Sequence, residues 1–220
     1  MESLTYDRIF GRLVKSAYEG GFDREVERLN PEGDEELHRY IKLASGQGDP
    51  RKVVYKVKDC NKFGECSENG CEVACLFEAI RRDEKGNVIV LEDYCSDCGK
   101  CVEACSYDCL VDKKEFIPLV ELLKNRTVPV YAIVAPAFVG QFGPEVTPGK
   151  LRSALKRLGF YGMVEVALFA DMLSLKEALE FDRYVRVEED FFLTSCCCPL
   201  WVAMVKKVYN QLIPHISPSV

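Results

Sequence analysis

The chain has 220 residues, 48% of them hydrophobic, enough for one medium domain or two small ones with real cores. Its formal net charge of -6 argues against nucleic acid as a partner, because a phosphate backbone needs a basic face. The first residues show neither the basic nor the apolar region of a secretory signal, and no stretch approaches the ~18 apolar residues of a membrane span, so a cytoplasmic protein is expected.

Residues 1–50 read as a polar helical segment. Phe10, Leu13, Val14 and Ala17 recur at helical spacing, as do Leu37, Tyr40, Ile41 and Ala44, with a turn around Pro31 to Asp34 between them and Asp34 as the N-cap. Gly46 to Pro50 forms a linker. Residues 51–115 hold nine of the twelve cysteines, with short β-like runs such as Asn87 to Leu91. From residue 127 onward the pattern alternates. Val128 to Val134 is a β run, Pro148 to Leu158 a helix with proline near its start, Val164 to Phe169 a second β run, and Ser174 to Phe181 a second helix. This βαβα order predicts a parallel sheet covered by helices. No glycine-rich phosphate loop follows either strand, so a nucleotide site has no support.

Cys95, Cys98, Cys101 and Cys105 form a C-x2-C-x2-C-x3-C run, the spacing of an iron–sulfur cubane. Three thiolates on a tight loop grip three irons, Gly99 loosens the backbone, and the fourth cysteine opens the following helix. Zinc would use four ligands on two separated knuckles, which suits this run less well. In a chain without an export signal, disulfides are likewise disfavoured. Upstream, Cys60, Cys66, Cys71 and Cys75 form a stretched copy with wider first gaps.

These two runs, with the short hairpin between them, resemble the bacterial dicluster ferredoxin fold over residues 55–112. In that fold the fourth cysteine of each run ligates the other cluster. The resemblance therefore implies two [4Fe-4S] clusters. Cys60, Cys66, Cys71 and Cys105 would hold one, and Cys95, Cys98, Cys101 and Cys75 the other. The proline that usually follows each fourth cysteine is replaced by Leu76 and Ser106. Cys109 has no seat in this scheme, which leaves it as a buried free thiol or a substitute for Cys105.

The remaining cysteines are consecutive, in Thr194-Ser195-Cys196-Cys197-Cys198-Pro199-Leu200-Trp201. Adjacent side chains diverge, so one ligand plus one functional thiol is the sensible division. Together with Ala135-Pro136-Ala137, Leu155 to Phe160, Ala170-Asp171 and Glu177 to Phe181, this segment resembles the catalytic domain of iron-only ([FeFe]) hydrogenases. The order of the pieces agrees, and that family carries ferredoxin-like clusters just ahead of its catalytic domain.

In the family, one cysteine before the proline is a proton-transfer thiol and the next ligates the cubane half of the H-cluster. Counted back from Pro199 these are Cys197 and Cys198; counted from Thr194 they are Cys196 and Cys197. The proline anchor is preferred at this stage. The resemblance further implies that Ala135, Pro136 and Ala137 line the cofactor, and that a relay of Cys197, Glu177, Ser217 and Glu180 carries protons. The null case for the glutamates is a solvated helix face. Trp201, His38 and His215 read as ordinary structural residues.

The expected architecture is thus a helical N-terminal segment (1–50), an α+β ferredoxin-like dicluster module (51–115) and an incomplete α/β iron-hydrogenase domain (127–220). The family's two later cysteine motifs do not occur before Val220, so the N-terminal part of a longer protein is expected, inactive alone. The implied parent interconverts dihydrogen with protons and electrons, exchanges electrons with ferredoxin or a similar redox carrier, and suits an anaerobic setting. The alternative is a non-catalytic hydrogen sensor or electron-transfer protein on the same scaffold. An assembly factor that keeps only cubanes would have no need of the thiol, glutamates and serine.

Overall fold

The computed structural model describes residues 4–30, 33–60, 70–190 and 192–219. The chain divides into two compact units, Met1–Glu121 and Leu122–Val220.

The first unit begins with three helices, α1 (Tyr6–Glu19), α2 (Phe22–Leu29) and α3 (Glu35–Ala44). The sequence predicted one helix before the turn near residue 31. The stretch is split because α1 ends at Gly20, whose N–H caps the Ser16 carbonyl. Asp34 is the N-cap of α3, its Oδ1 accepting the Leu37 N–H at 2.9 Å. The apolar faces of these helices meet in one core, with Ile9, Leu13, Leu29, Tyr40 and Ala44 buried against Val57 and Val111.

The rest of this unit is built from two strand–helix–strand halves. The first comprises β1 (Val54–Lys56), α4 (Gly70–Val73) and β2 (Ile80–Arg82). The second comprises β3 (Val88–Val90), α5 (Lys100–Glu103) and β4 (Leu110–Asp112). β2 and β3 form an antiparallel hairpin in which Ile80 faces Val90. The outer strands close on each other, β1 antiparallel to β4, with Val54 opposite Asp112. The halves repeat in detail. Glu78 and Asp108, each three residues after a fourth-position cysteine, both take positive φ, 51° and 53°. One expectation is corrected: α5 starts at Lys100, so it contains Cys101 and ends before Cys105 rather than opening at it.

The helical segment is tied onto the second half. The Tyr6 hydroxyl donates to the Asp112 carbonyl at 2.6 Å and the Tyr40 hydroxyl to the Asp108 carbonyl at 2.8 Å. The Tyr6 N–H donates to Asp108 Oδ2 at 3.0 Å.

α6 (Ile117–Asn125) leads into the second unit, a mixture of helices and one small sheet. β5 (Tyr131–Val134) and β6 (Gly162–Glu165) pair in parallel, Tyr131 opposite Gly162, joined by α7 (Pro148–Leu158). α7 matches the sequence prediction, with Thr147 accepting the Lys150 N–H and Pro148 in the first turn. Gly159 ends it at φ +113°, and a Cβ there would come within 2.4 Å of the Leu123 carbonyl oxygen. The second β run is shorter than predicted. Residues 167 to 169 belong instead to α8 (Ala167–Tyr184), because an apolar run such as Ala167-Leu168-Phe169 suits either element and periodicity cannot separate them. α9 (Pro199–Lys207) follows the triple cysteine. No helix among the described residues is long and apolar enough to cross a membrane.

Candidate functional site

The first unit gathers its thiols across the two halves. Cys75, at the end of the first run, lies within electrostatic reach of Cys95 and Cys101 of the second. Cys105, at the end of the second run, packs against the buried cluster that holds Cys109 and, from the first run, Cys60. Cys60, Cys71, Cys101 and Cys109 are buried in one core cluster, with Cys75 and Cys105 packed against it. Cys98 is exposed. Cys66 lies outside the described residues.

Four of these sulfurs accept backbone N–H groups, while Cys60 and Cys109 also face backbone carbonyls. Cys60 Sγ accepts the Val88 N–H at 3.3 Å and faces Arg82 Nη1 at 3.6 Å. Cys75 Sγ accepts the Ala79 N–H at 3.3 Å, Cys95 Sγ the Asp97 N–H at 3.4 Å, and Cys105 Sγ the Leu110 N–H at 3.5 Å. Such amides stabilise negative sulfur, as ligating thiolates require. Burial pushes the Cys101 thiol up to about 12, helped by the charges of Cys95, Cys75 and Cys98. Burial also raises Cys95. The Cys109 thiol, joined by backbone amides, brings Cys105 down to about 5 against its burial. No group of three or more metal-binding side chains among the described residues converges on one point as around a single ion.

In the second unit the triple cysteine is fixed by strand-like pairing. Thr194 bridges Ile216 in parallel, its N–H donating to the His215 carbonyl at 2.6 Å while the Ser217 N–H donates to the Thr194 carbonyl at 2.9 Å. The Trp201 indole N–H donates to Thr194 Oγ1 at 2.9 Å, which gives this residue a locking role beyond packing. His215 is structural, as expected, stacked on Phe192 at 4.6 Å between ring centroids.

An extended backbone sends alternate side chains to opposite faces. Cys196 is accordingly buried, with its Sγ 3.6 Å from Glu177 Oε1, while Ser195 and Cys197 share the exposed face, Oγ to Sγ 3.1 Å. The proline-anchored expectation had Cys197 facing Glu177; Cys196 stands there instead, because Thr194 and its partners set the register. Cys198 is exposed, at the N-cap of α9.

One turn further along α8, Glu180 accepts the Ser217 hydroxyl at 2.6 Å. Ser217 is 2% exposed. Sequence reasoning missed Ser219, whose hydroxyl donates to the other Glu180 oxygen at 2.5 Å. A second hydroxyl two residues on, at matching strand parity, was the available signal. Ser217 foremost, then Ser219, holds the Glu180 carboxyl below the ordinary range. Ala135, Pro136 and Ala137 are exposed where β5 ends and a short 3-10 turn begins.

This thiol–carboxylate and hydroxyl–carboxylate pairing lies inside a recognisable stretch. Residues 128–220 match the family model described as "Iron only hydrogenase large subunit, C-terminal domain". In sequence, the chain is [FeFe]-hydrogenase-like. It is 31% identical over 136 residues, 54% of its length, to the NADP-reducing hydrogenase subunit HndD of Solidesulfovibrio fructosivorans, covering 23% of that protein. It is 32% identical over 90 residues, 41% of its length, to iron hydrogenase 1 of Clostridium pasteurianum, covering 16% of it. It is 31% identical over 116 residues, 48% of its length, to the periplasmic [Fe] hydrogenase large subunit of Nitratidesulfovibrio vulgaris, covering 28% of it. The hydrogenase-like chain therefore spans about a quarter or less of most of these relatives' lengths.

Proposed function

We propose that this chain delivers electrons in an [FeFe]-hydrogenase-type oxidoreductase acting on dihydrogen and protons. The first unit is a dicluster ferredoxin-type module with two [4Fe-4S] clusters. Cys75, Cys95, Cys98 and Cys101 hold one cluster. Cys60, Cys66, Cys71 and Cys105 hold the other. The amides directed at their sulfurs and the shared burial of both halves support this reading. Electrons pass between these clusters and an external carrier such as ferredoxin.

The observation that carries the hydrogenase reading is the array of proton-active groups along α8. Cys196 meets Glu177, and one turn later Ser217 and Ser219 meet Glu180. Heterolysis in a dry pocket leaves a proton that needs a titratable exit. The H-cluster, when bound, supplies the making and splitting of dihydrogen. The protein's residues do the rest. Cys196 Sγ exchanges a proton with the Glu177 carboxylate, and the Ser217 hydroxyl hands one to Glu180. The Thr194-anchored register follows: Cys196 is the proton thiol and Cys197 the cubane ligand, in place of Cys197 and Cys198. Ala135 to Ala137 line the cofactor.

Infrared spectroscopy of the protein purified without oxygen tests this reading. Iron-bound carbonyl and cyanide bands are expected, in a region where polypeptide barely absorbs. Cubane iron without those bands would replace it with the non-catalytic electron-transfer reading.

A further inference from the structure

The two halves of the first unit repeat in position but not in charge. Arg82 ends β2, seven residues beyond Cys75, and at the matching place seven beyond Cys105 stands Asp112, at the end of β4. The Arg82 side chain turns towards the thiols. Its Nε donates to Glu72 Oε2 at 3.1 Å and its Nη1 to the Gly86 carbonyl at 2.8 Å, and the same Nη1 faces Cys60 Sγ at 3.6 Å. Both charged side chains are mostly covered, 23% and 24% exposed. Cys60 is buried, and its sulfur also accepts the Val88 N–H at 3.3 Å. Glu72 lies on α4 and Gly86 in the turn between β2 and β3, so two separate elements aim the guanidinium. A guanidinium suits such a place, because it stays charged at any working pH and is only weakly hydrated.

We propose that Arg82 is a positioning residue whose guanidinium, aimed at Cys60 by Glu72, raises the reduction potential of the cluster that Cys60 ligates. The inference rests on the ferredoxin-type reading of the first unit. A cluster gains one negative charge on reduction, and a fixed cation against one of its sulfurs stabilises that state. Partial burial matters here, since water and salt screen a covered charge less than a free surface one. Glu72 orients the guanidinium and, through its own negative charge, offsets part of the cation's field. The effect belongs to one centre of the two, because the second half carries an acid where the first carries Arg82. Arg82 itself binds no iron.

The test uses the full chain, reconstituted anaerobically, with Arg82→Gln and Glu72→Gln beside the parent. The first variant removes the cation. The second removes the offsetting charge but keeps an oxygen that can accept the Arg82 Nε–H. Iron and sulfide content is measured first, then each cluster is titrated potentiometrically by electron paramagnetic resonance. The expected result is unchanged iron in all three proteins. One potential should move to a more negative value in Arg82→Gln, and the same one to a less negative value in Glu72→Gln, while the other stays near the parent value. A merely structural support would not move one potential in opposite directions. Unchanged potentials, or shifts of the same sign, at full iron content would overturn the inference and leave the ferredoxin reading standing. Loss of one cluster's iron in either variant would overturn it differently, by making the ion pair a support of the fold. A parent chain that takes up no cluster would sink the ferredoxin reading itself and the inference with it.

Discussion

The two units reach their sites by opposite routes. In the first, three of the proposed ligand thiols are part of the core: Cys60, Cys71 and Cys101 pack with Val54, Ile80, Val88 and Leu110. Positioning and stability there come from the same burial. In the second, few side chains among the described residues are buried, and α8 holds Leu168, Met172, Leu175 and Leu179 exposed. Its site is positioned by pairing instead, by one isolated bridge at Thr194 and by hydrogen bonds to two glutamates a turn apart. A site can thus be ordered by its polar contacts where apolar packing is thin.

The contrast can be broken most sharply at Cys196. If its place beside Glu177 serves proton transfer, Cys196→Ser in the hydrogen-active protein should cut turnover on the order of 10²–10⁴-fold, with iron content and fold preserved. Turnover at the parent rate would remove the thiol from the relay. Truncations measure the packing difference directly. Leu13→Ala, at a side chain 0% exposed, should cost about 2–5 kcal/mol in denaturant unfolding, whereas Leu175→Ala, 69% exposed on α8, should stay within about 0.5 kcal/mol. Equal costs would erase the distinction between the units. The smallest effect is electrostatic. The fold favours ionised Glu180, so that contribution is present at neutral pH and fades as pH falls through its lowered pKa. Carbon-detected NMR should find the Glu180 carboxyl titrating below a free glutamate and shifting upward in Ser217→Ala. An ordinary value in both proteins would discard the hydroxyl contacts.

Where local chemistry governs, the sequence was legible. Thr147 and Pro148 announce α7, and Asp34 caps α3. What escaped depends on partners far along the chain. Whether Cys196 or Cys197 meets Glu177 is set by Thr194 pairing with Ile216, and no local pattern encodes that register. Ser219 shares strand parity with Ser217, but only the folded chain brings both hydroxyls to Glu180. The helical start of α8 was misread because an apolar tripeptide carries no period of its own.

The clamp on Asp108 has one more consequence. Tyr6 and Tyr40 hold the turn between Cys105 and β4 from outside, through an amide, a carboxylate and a carbonyl that do not change charge with the metal. A redox centre ligated at that turn would gain or lose an electron inside a frame that barely moves. Little nuclear rearrangement would then accompany each transfer, and a small rearrangement would favour rapid exchange between neighbouring centres.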